Sequence, residues 1–433
     1  MPMNDAVQIL KELVQINTVN PPGCEGNLIA YLEEKLKAYN LPFIRQETSP
    51  NRGNLLSYLP ADIEKTQPPL VLLSHIDVVA AEAAQWKYPP FEAHEDENGY
   101  IYGRGTVDTK QLTAMELCAF LSLSAESGRK RDVYFIATCD EECGSTLGLQ
   151  AFLTGSFTVD GKTLSGADIF RNSDVISEGG GFPIQAGKNV FYLCESGQKG
   201  CGTVKFTVPA RHAKGPFFGS GDAMVRAMSL VEDIGSMVMD CRLLDTVKHF
   251  EESLQGAPLS PMMEKILFAM KHNTMTVTMI TGENINSVCV LCDVRLLPGF
   301  GRDYLVQILN SLARKWDCEY EILSLSQGYE ADPCSKMLRT LESATKEVLK
   351  GGNAENMQIL PFVSMGSSDG RFLVHTGARV YGYSPVYSWD MTFDTAVTMV
   401  HGVNERIHKD SVHFGTQVLT LAVKKAVKEE TEQ

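Results

Sequence analysis

Histidine and acidic residues that could bind a metal ion follow several apolar runs of this sequence. The tetrapeptide SHID (74–77) continues one such run, and in an extended strand His75 and Asp77 would face the same side. This spacing suits an imidazole that binds metal through one nitrogen while a carboxylate holds the other. A hydrogen-bonded structural histidine is at least as common, so the HxD pattern alone does not distinguish a metal ligand from a structural residue.

A glycine-rich segment and an acidic triplet offer further carboxylates. In GRGTVDTK (103–110), two glycines permit a tight turn, and Asp108 precedes a predicted helix for which it could equally be the N-cap. The triplet DEE (140–142) follows the apolar run VYFIAT, and adjacent carboxylates repel one another unless cations lie near them. A solvated acidic turn is the alternative, but it fits poorly with a buried strand immediately before it.

Two more candidates complete a possible ligand set. Glu178 ends the run DVISE before three glycines, and His401 lies in VHGVNE (400–405). Because open parallel sheets place their sites at the carboxyl ends of strands, we expect several of these side chains to meet there. Two imidazoles and three carboxylates favour a metal such as zinc. The candidate ligands are His75, Asp108, Glu142, Glu178 and His401.

Short continuous apolar runs predict the strands that would position these residues. The runs at 70–75, 133–138 and 174–177 suit a parallel sheet buried on both faces, with helices such as 25–39 between the strands. From about residue 199 the pattern changes to a smaller α+β unit, and an α/β pattern resumes after LLPG (296–299).

We therefore predict an α/β protein in which an inserted domain interrupts a catalytic domain with a mostly parallel central sheet flanked by helices. The predicted boundaries are 1–198 for the first part of the catalytic domain, 199–300 for the insertion and 301–433 for the second part. A length of 433 residues agrees with more than one domain.

Composition excludes several classes of partner. The chain carries 53 acidic and 39 basic residues, a formal net charge of -14, without a block of Lys or Arg. This balance argues against nucleic acid or an anionic membrane as a partner. No segment is apolar enough to span a membrane, the N-terminus does not resemble a signal peptide, and eleven cysteines are scattered without a disulfide framework. We expect a cytoplasmic protein.

Six motifs in order resemble a known family. HxD, GRGxxDxK, DEExGS, a later EG, SDGR and HxxNE occur as in the aminoacylase/carboxypeptidase branch of the di-zinc metallopeptidases of clan MH. This branch includes glutamate carboxypeptidase, carboxypeptidase S, acetylornithine deacetylase and succinyl-diaminopimelate desuccinylase. The segments WKYPPF (86–91) and EGGGFP (178–183) look most like carboxypeptidase S. The resemblance implies two Zn²⁺ per subunit, which Co²⁺ or Mn²⁺ could replace, and an inserted domain that serves as lid and dimerisation domain.

The resemblance also implies roles for individual residues. His75 and Glu178 would bind one zinc, Glu142 and His401 the other, with Asp108 bridging both, Asp77 orienting His75 and Glu141 acting as general base. Arg371 of SDGR would grip a substrate carboxylate, although an unpaired surface arginine is the alternative. His212 would donate to the oxyanion from the lid of a partner subunit in a homodimer. Asn286 would face the substrate, in a segment where NSVC replaces the family's usual NVIP.

The predicted function is zinc-dependent hydrolysis of a peptide or N-acyl amino acid amide bond beside a free carboxylate, through a metal-bridging water activated by Glu141. An N-succinyl or N-acetyl diamino acid deacylase of the same branch is the first alternative. GSSDG (366–370) also fits the GxSxG motif of serine hydrolases, with Ser368 as nucleophile and Asp390 or Asp394 and His401 as partners. A catalytically silent binding homologue is the remaining alternative.

Overall fold

The structure is a computed structural model that describes residues 5–210, 222–284, 287–350 and 352–428. Its strands are β1 (Phe43–Ser49), β2 (Arg52–Leu59), β3 (Leu70–His75), β4 (His94–Glu95), β5 (Tyr100–Tyr102), β6 (Val133–Thr138), β7 (Ser156–Val159), β8 (Lys162–Ser165), β9 (Asp174–Ser177), β10 (Pro183–Ala186), β11 (Asn189–Gln198), β12 (Gly200–Pro209), β13 (Thr274–Asn284), β14 (Ser287–Leu296), β15 (Glu319–Leu325), β16 (Tyr329–Glu330), β17 (Met357–Ser364), β18 (Arg379–Gly382) and β19 (Arg406–His408). Its α-helices are α1 (Ala6–Gln15), α2 (Glu25–Ala38), α3 (Lys110–Ser124), α4 (Leu149–Thr154), α5 (Gly166–Phe170), α6 (Ala223–Ser236), α7 (Asp245–Leu254), α8 (Pro261–Ala269), α9 (Arg302–Trp316), α10 (Lys336–Leu349), α11 (Gly352–Glu355), α12 (Phe393–Met399) and α13 (Lys409–Lys428).

A large central sheet organises the catalytic part of the chain. Its strand order is β1-β2-β6-β3-β9-β18-β11-β10, and β16 and β17 also pair with β11. The pairs β6–β3, β3–β9, β9–β18 and β11–β17 are parallel, whereas β1, β2 and β10 pair antiparallel with their neighbours. The prediction of a mostly parallel central sheet is therefore confirmed.

The central strands β3, β6 and β9 are buried on both faces because their side chains alternate between two cores. In β3, Leu70 and Leu72 belong to the core on one face, and Val71 and Leu73 to the core on the other. The first core includes α1, α2, α3, α10 and α13, and the second includes α4 and α5. Continuous apolar runs are what this two-sided burial requires.

Helix α3 connects the sheet with the outer helices. It is buried along nearly its whole length, and it contacts β3 on one side and α1 and α13 on the others. Its first residue, Lys110, comes two positions after Asp108, so the start of this tightly held helix fixes where the Asp108 segment can lie. Among the described residues, no helix has the length and apolarity of a membrane span.

A second sheet forms the inserted unit. Its order is β13-β14-β12-β15, its neighbours pair antiparallel, and β12 alternates buried and half-buried residues as expected of a sheet with one covered face. Helices α6 and α9 cover that face and share its apolar core. Helix α9 and strand β15, both beyond residue 300, also belong to this unit.

Two helices between β12 and β13 pack on the central sheet instead. Val247 and Phe250 of α7, and Met263 and Ile266 of α8, belong to the core of the catalytic part, and α7 contacts β17. The segment 199–300 therefore contributes to the core of the catalytic part and to the core of the inserted unit. The division at residues 198 and 300 stays a prediction, but the packing favours a unit made of β12–α6 and β13–β15, without α7 and α8.

Candidate metal centre and active-site cavity

The predicted ligands come from separate strand ends and loops. His75 is the last residue of β3, Glu178 follows β9 directly, and Glu142 lies in the 3₁₀ turn Glu141–Cys143 after β6. Since β6, β3 and β9 are neighbouring parallel strands, their carboxyl ends meet at one edge of the sheet. Asp108 reaches this edge from the segment before α3, and His401 from the loop after α12.

One cluster of three side chains, called here the His75 group, consists of His75, Asp108 and Glu178. His75 Nε2 lies 3.1 Å from Asp108 Oδ1 and 3.4 Å from Glu178 Oε2. Their potential ligand atoms all lie within 4.8 Å of one another. The imidazole is almost fully buried, with 1% of its side chain exposed. These three side chains therefore meet the spacing that a single bound metal ion needs.

A second cluster, called here the His401 group, consists of Asp108, Glu142 and His401. His401 Nε2 lies 3.1 Å from Asp108 Oδ2 and 3.0 Å from Glu142 Oε2. Asp108 thus turns one carboxylate oxygen toward each histidine, and the two groups share it. The structure brings together all five predicted ligands as two adjoining sets.

Asp77 supports both the first histidine and the turn that carries the acidic pair. His75 Nδ1 donates to the backbone carbonyl of Asp77 at 3.0 Å, and the Asp77 carboxylate lies 3.6 Å from the same nitrogen. The carboxylate oxygens also accept hydrogen bonds from the backbone N–H groups of Glu141 and Glu142, each at 3.1 Å. Asn20 Nδ2 donates to it at 2.9 Å. Asp77 therefore contacts the Glu141–Glu142 turn as well as His75, its predicted partner.

The three adjacent carboxylates of the DEE triplet point to different partners. Asp140, in a left-handed backbone conformation, accepts hydrogen bonds from Arg52 and Asn20, each at 3.0 Å. Glu142 turns toward His401, and Glu141 lines the cavity described below. The repulsion expected between these neighbours is thus relieved partly by an arginine of the protein, which the sequence pattern did not indicate.

Glu405 holds two parts of the centre that are far apart in sequence. This fully buried carboxylate accepts hydrogen bonds from the backbone N–H groups of Gly105, Val107 and Asp108, and Arg104 Nη1 donates to it at 2.7 Å. Arg104 Nη2 also donates to the carbonyl of His401 at 3.2 Å. Sequence reasoning missed this role, although both residues stand in motifs that were recognised, GRGxxDxK and HxxNE.

The charges around both imidazoles favour a cation. Burial alone would lower the pKa of His75, but the charge of Glu178 and the hydrogen bond with Asp108 raise it well above its ordinary value. Hydrogen bonds with Asp108 and Glu142 raise the pKa of His401 to about 10. Surroundings that stabilise two imidazolium ions also stabilise bound metal ions.

The donor set fits metal ions in a further respect. Glu142 Oε1 is buried and has no hydrogen-bond partner among the residues that the structure describes. A buried carboxylate oxygen without a partner is costly in a folded protein, and a metal ion would satisfy it. Mixed imidazole and carboxylate donors are those that zinc accepts. The residues present therefore fit a two-ion centre.

A cavity of about 460 Å³ opens beside this centre, and Asp108, Glu141, Glu142, Glu178 and His401 all line it. Burial, together with the charge of Glu178, raises the pKa of Glu141 well above its ordinary value. A raised pKa makes the carboxylate a stronger proton acceptor, which is a property that general acid–base catalysis uses.

Arg371 lies next to this cavity. Its Nη1 is 3.6 Å from Glu141 Oε1 and donates a hydrogen bond to Ser367 Oγ, while 10% of its side chain is exposed. The neighbouring Asp369 is buried and accepts hydrogen bonds from Thr138 Oγ1 at 2.9 Å and from Ser145 Oγ. Arg371 is thus held near the predicted base and is not the unpaired surface arginine of the alternative interpretation.

Ser368 does not have the surroundings of a serine nucleophile. It precedes the 3₁₀ turn Asp369–Phe372 and accepts a hydrogen bond from Gln198 Nε2 at 3.1 Å. His401, its predicted base, instead contacts Asp108 and Glu142. Asp390 accepts a hydrogen bond from the backbone of His408. This arrangement does not support the serine hydrolase alternative.

Two predicted site residues, His212 and Asn286, lie outside the described residues. His212 falls between β12 and α6, and Asn286 falls between β13 and β14. Their roles stay predictions.

Comparison with known proteins identifies the family. The sequence model that represents peptidase family M20/M25/M40 matches residues 71–425 of this chain. Aminoacylase-1 of Mus musculus is 23% identical over 433 aligned residues, which cover 96% of this chain and 93% of that protein. The N-fatty-acyl-amino acid synthase/hydrolase PM20D1 of Xenopus tropicalis is 24% identical, over 95% of this chain and 84% of that protein. The metallo-carboxypeptidase Sso-CP2 from Sulfolobus solfataricus shares the fold, with a TM-score of 0.74 and 18% identity across 98% of this chain and 99% of that one.

The matched segment contains every residue of the His75 and His401 groups, together with Asp77, Glu141 and Arg371. The resemblance inferred from the six motifs is therefore confirmed at the level of the family. This chain belongs to peptidase family M20/M25/M40, and it is a metallohydrolase.

Proposed function

We propose that the protein is a di-zinc amidohydrolase that cleaves a peptide or N-acyl amino acid amide bond beside a free carboxylate. The observation that carries the proposal is the sharing of Asp108 between two histidine–carboxylate groups at the wall of one cavity. His75 and Glu178 would hold one ion, and Glu142 and His401 the other. The aminoacylase and carboxypeptidase names of the relatives support amide bonds as the target.

Glu141 is the proposed general base. Bound zinc ions would lower the pKa of a water molecule and polarise a carbonyl group. The Glu141 carboxylate would accept a proton from the attacking water and deliver it to the leaving amine. Its raised pKa supports this role, because the group must keep the proton until the amine takes it. Glu141 and Glu142 can act separately because they are adjacent residues of a 3₁₀ turn and diverge in direction.

Arg371 is the proposed anchor for the substrate carboxylate. A guanidinium can bind a carboxylate through two parallel hydrogen bonds, and Arg371 lies 3.6 Å from the proposed base. A carboxylate bound there would hold the adjacent amide close to Glu141. We expect Arg371→Ala to weaken the interaction with acid substrates by roughly 2–5 kcal/mol more than the interaction with the matching C-terminal amides. Arg371→Lys should restore little of the preference for acid substrates, because lysine lacks the planar fork of the guanidinium. Equal losses on acids and amides would contradict the role.

We further propose that the protein is a homodimer in which His212 completes the partner's site by donating to the oxyanion. The edge strand β13 supports this proposal, because Met279 and Ile280 on it are 52% and 43% exposed and no other strand of the described residues pairs with its outer side. Mixing Glu141→Gln protein with His212→Ala protein tests it. Subunit exchange should restore about a quarter of wild-type activity. No recovery after demonstrated exchange would rule out action in trans.

The substrate proposal is tested with a panel of dipeptides, N-acyl amino acids and N-succinyl diamino acids. We expect the zinc- or cobalt-loaded protein to hydrolyse at least one dipeptide or N-acyl amino acid and to lose that activity to a chelator. Activity on N-succinyl diamino acids alone would favour the deacylase alternative. A cytoplasmic location is part of the proposal, and it agrees with the absence of disulfides among the eleven cysteines, all of which are described.

A further inference from the structure

We infer that the cavity beside the metal centre accepts a bulky apolar group of the substrate, so that the enzyme favours amides carrying a large aliphatic or aromatic substituent. The inference rests on the proposed function, which it deepens by naming a substrate class. The metal-facing end of the cavity carries the carboxylates and His401, whereas apolar side chains supply much of the remaining wall.

The floor of this apolar wall is aromatic. Phe182, Phe362 and Phe393 line it and are each less than 10% exposed. The rings of Phe362 and Phe393 pack edge to face, with centroids 5.7 Å apart and planes at 80°. Aromatic rings packed in this way form a rigid surface with a large contact area. A flexible polar substrate group would gain little from such a floor, whereas an alkyl chain or ring would be well packed against it.

The rim of the wall comes from two helices. Helix α8 contributes Met262 and Ile266, which are four residues apart, and the α12 segment contributes Val397 and Val400, which lie on its cavity-facing side with Phe393. Met262, Val397 and Val400 are 36%, 44% and 37% exposed. Several exposed apolar side chains at the mouth of one cavity mark a binding surface more than a random surface feature.

The size of the cavity agrees with this occupant. Its volume of about 460 Å³ lies within the range of small-ligand sites, and an acetyl group alone would leave most of it unfilled. Each methylene group moved from water into such a wall strengthens binding about fourfold. We therefore expect kcat/KM to rise as the substrate's apolar group lengthens, until the wall is covered.

Two polar variants of the rim test the inference without adding charge near the metal centre. Met262→Gln keeps the length of the side chain, Val397→Asn keeps its approximate size, and the partial exposure of both positions favours correct folding. Met228→Gln on α6 is the matched control, since Met228 is 62% exposed and is not among the residues that line the cavity. Val400 is left unchanged because it adjoins His401.

The readout is the ratio of kcat/KM for long and short substrates. One series lengthens the acyl group from acetyl to octanoyl on a fixed amino acid, and a second enlarges the amino acid side chain beside a fixed acetyl group. We expect the ratio to rise steeply in at least one series, to fall about tenfold in Met262→Gln and Val397→Asn, and to stay unchanged in Met228→Gln. A flat ratio in both series, or equal losses on long and short substrates in the two rim variants, would overturn the inference.

A binding measurement separates failure of this inference from failure of the proposed function. Straight-chain carboxylic acids from acetate to octanoate are titrated into the zinc-loaded protein by calorimetry. Tighter binding of longer acids that Met262→Gln weakens would support the apolar subsite even if no amide were hydrolysed, in which case only the proposed function fails. Amide hydrolysis without any dependence on chain length, in turnover or in binding, would overturn the inference and leave the proposed function standing.

Discussion

The His75 group and the His401 group share Asp108 but lie in different surroundings. His75 ends a buried central strand, and only 1% of its side chain is exposed, whereas His401 lies on a loop with 51% of its side chain exposed. Asp77 supports the first imidazole through its own peptide carbonyl and its carboxylate, while Arg104 donates to the backbone carbonyl of His401. The difference suggests one tightly enclosed metal position and one that exchanges with solvent.

The largest effect that this comparison predicts concerns Asp108, the residue that both groups share. Asp108→Ala removes one oxygen from each group, so we expect the protein to lose both ions and all measurable turnover. Metal content is measured by elemental analysis after gel filtration. Asp303→Ala, an exposed aspartate in the first turn of α9, is the control and should keep its metal. Retention of one full ion in Asp108→Ala would show that the two positions do not depend on a common ligand.

The second prediction separates the two positions by exchange rate. When a chelator is added to the loaded protein, we expect two phases of metal release, of which the faster comes from the exposed His401 group. His401→Ala should abolish the fast phase, and His75→Ala should abolish the slow one. Stopped-flow measurements with a chromogenic chelator follow both phases. A single phase in the wild type, or loss of the fast phase in His75→Ala, would contradict faster metal release from the His401 group.

Glu405 offers a subtler way to disturb the His401 group. Its carboxylate accepts three backbone hydrogen bonds from the Asp108 segment and pairs with Arg104. Glu405→Gln brings an amide donor toward these donors, so we expect metal affinity to fall by about 10–100-fold at the His401 position. The slow-exchanging position should change less, because Asp77 still holds His75. Affinities are measured by competition with a chelator, and circular dichroism checks that the variant is folded. Equal weakening at both positions would argue against this division.

The smallest expected effect is a dependence on pH. In metal-free protein, the carboxylates raise the pKa of His401 from 6.5 to about 10. The stabilisation from its charged form is therefore fully present below pH 6.5 and is lost as the pH rises through about 10. Metal binding requires the neutral imidazole, so the gain in Tm on adding zinc should grow with pH across this window. His401→Ala should show a weaker dependence. A gain that is constant with pH in the wild type would contradict the prediction.

Several features of the fold could be predicted because local pattern and tertiary role agree. The runs at 70–75, 133–138 and 174–177 form strands at those positions, since a strand buried on both faces must be apolar throughout. The candidate ligands His75, Glu142 and Glu178 could be anticipated together because each lies at or just after the end of one of these strands. Spacing alone would not have distinguished a metal site from a structural histidine and a solvated acidic turn. The ordered set of six motifs indicated the metal site.

Other features depended on contacts that no local pattern encodes. Glu405 reaches the Asp108 segment across almost 300 intervening residues, and Arg52 relieves the charge of Asp140 from 88 positions away along the chain. Helices α7 and α8 have apolar faces, but a face does not indicate which of two sheets it covers, and they pack on the central one. Their position brings Met262 to the cavity wall, which the sequence order did not suggest.

The central claim is that the two groups bind the metal ions while Glu141 moves the proton. Metal content and turnover of Glu141→Gln, measured on the same sample, test it most directly. We predict that this variant keeps the full wild-type metal content and loses turnover by at least about 10²–10⁴-fold, whereas Glu142→Ala loses metal. Glu141→Gln protein that turned over substrate at the wild-type rate, or that lost its metal as Glu142→Ala does, would contradict the account.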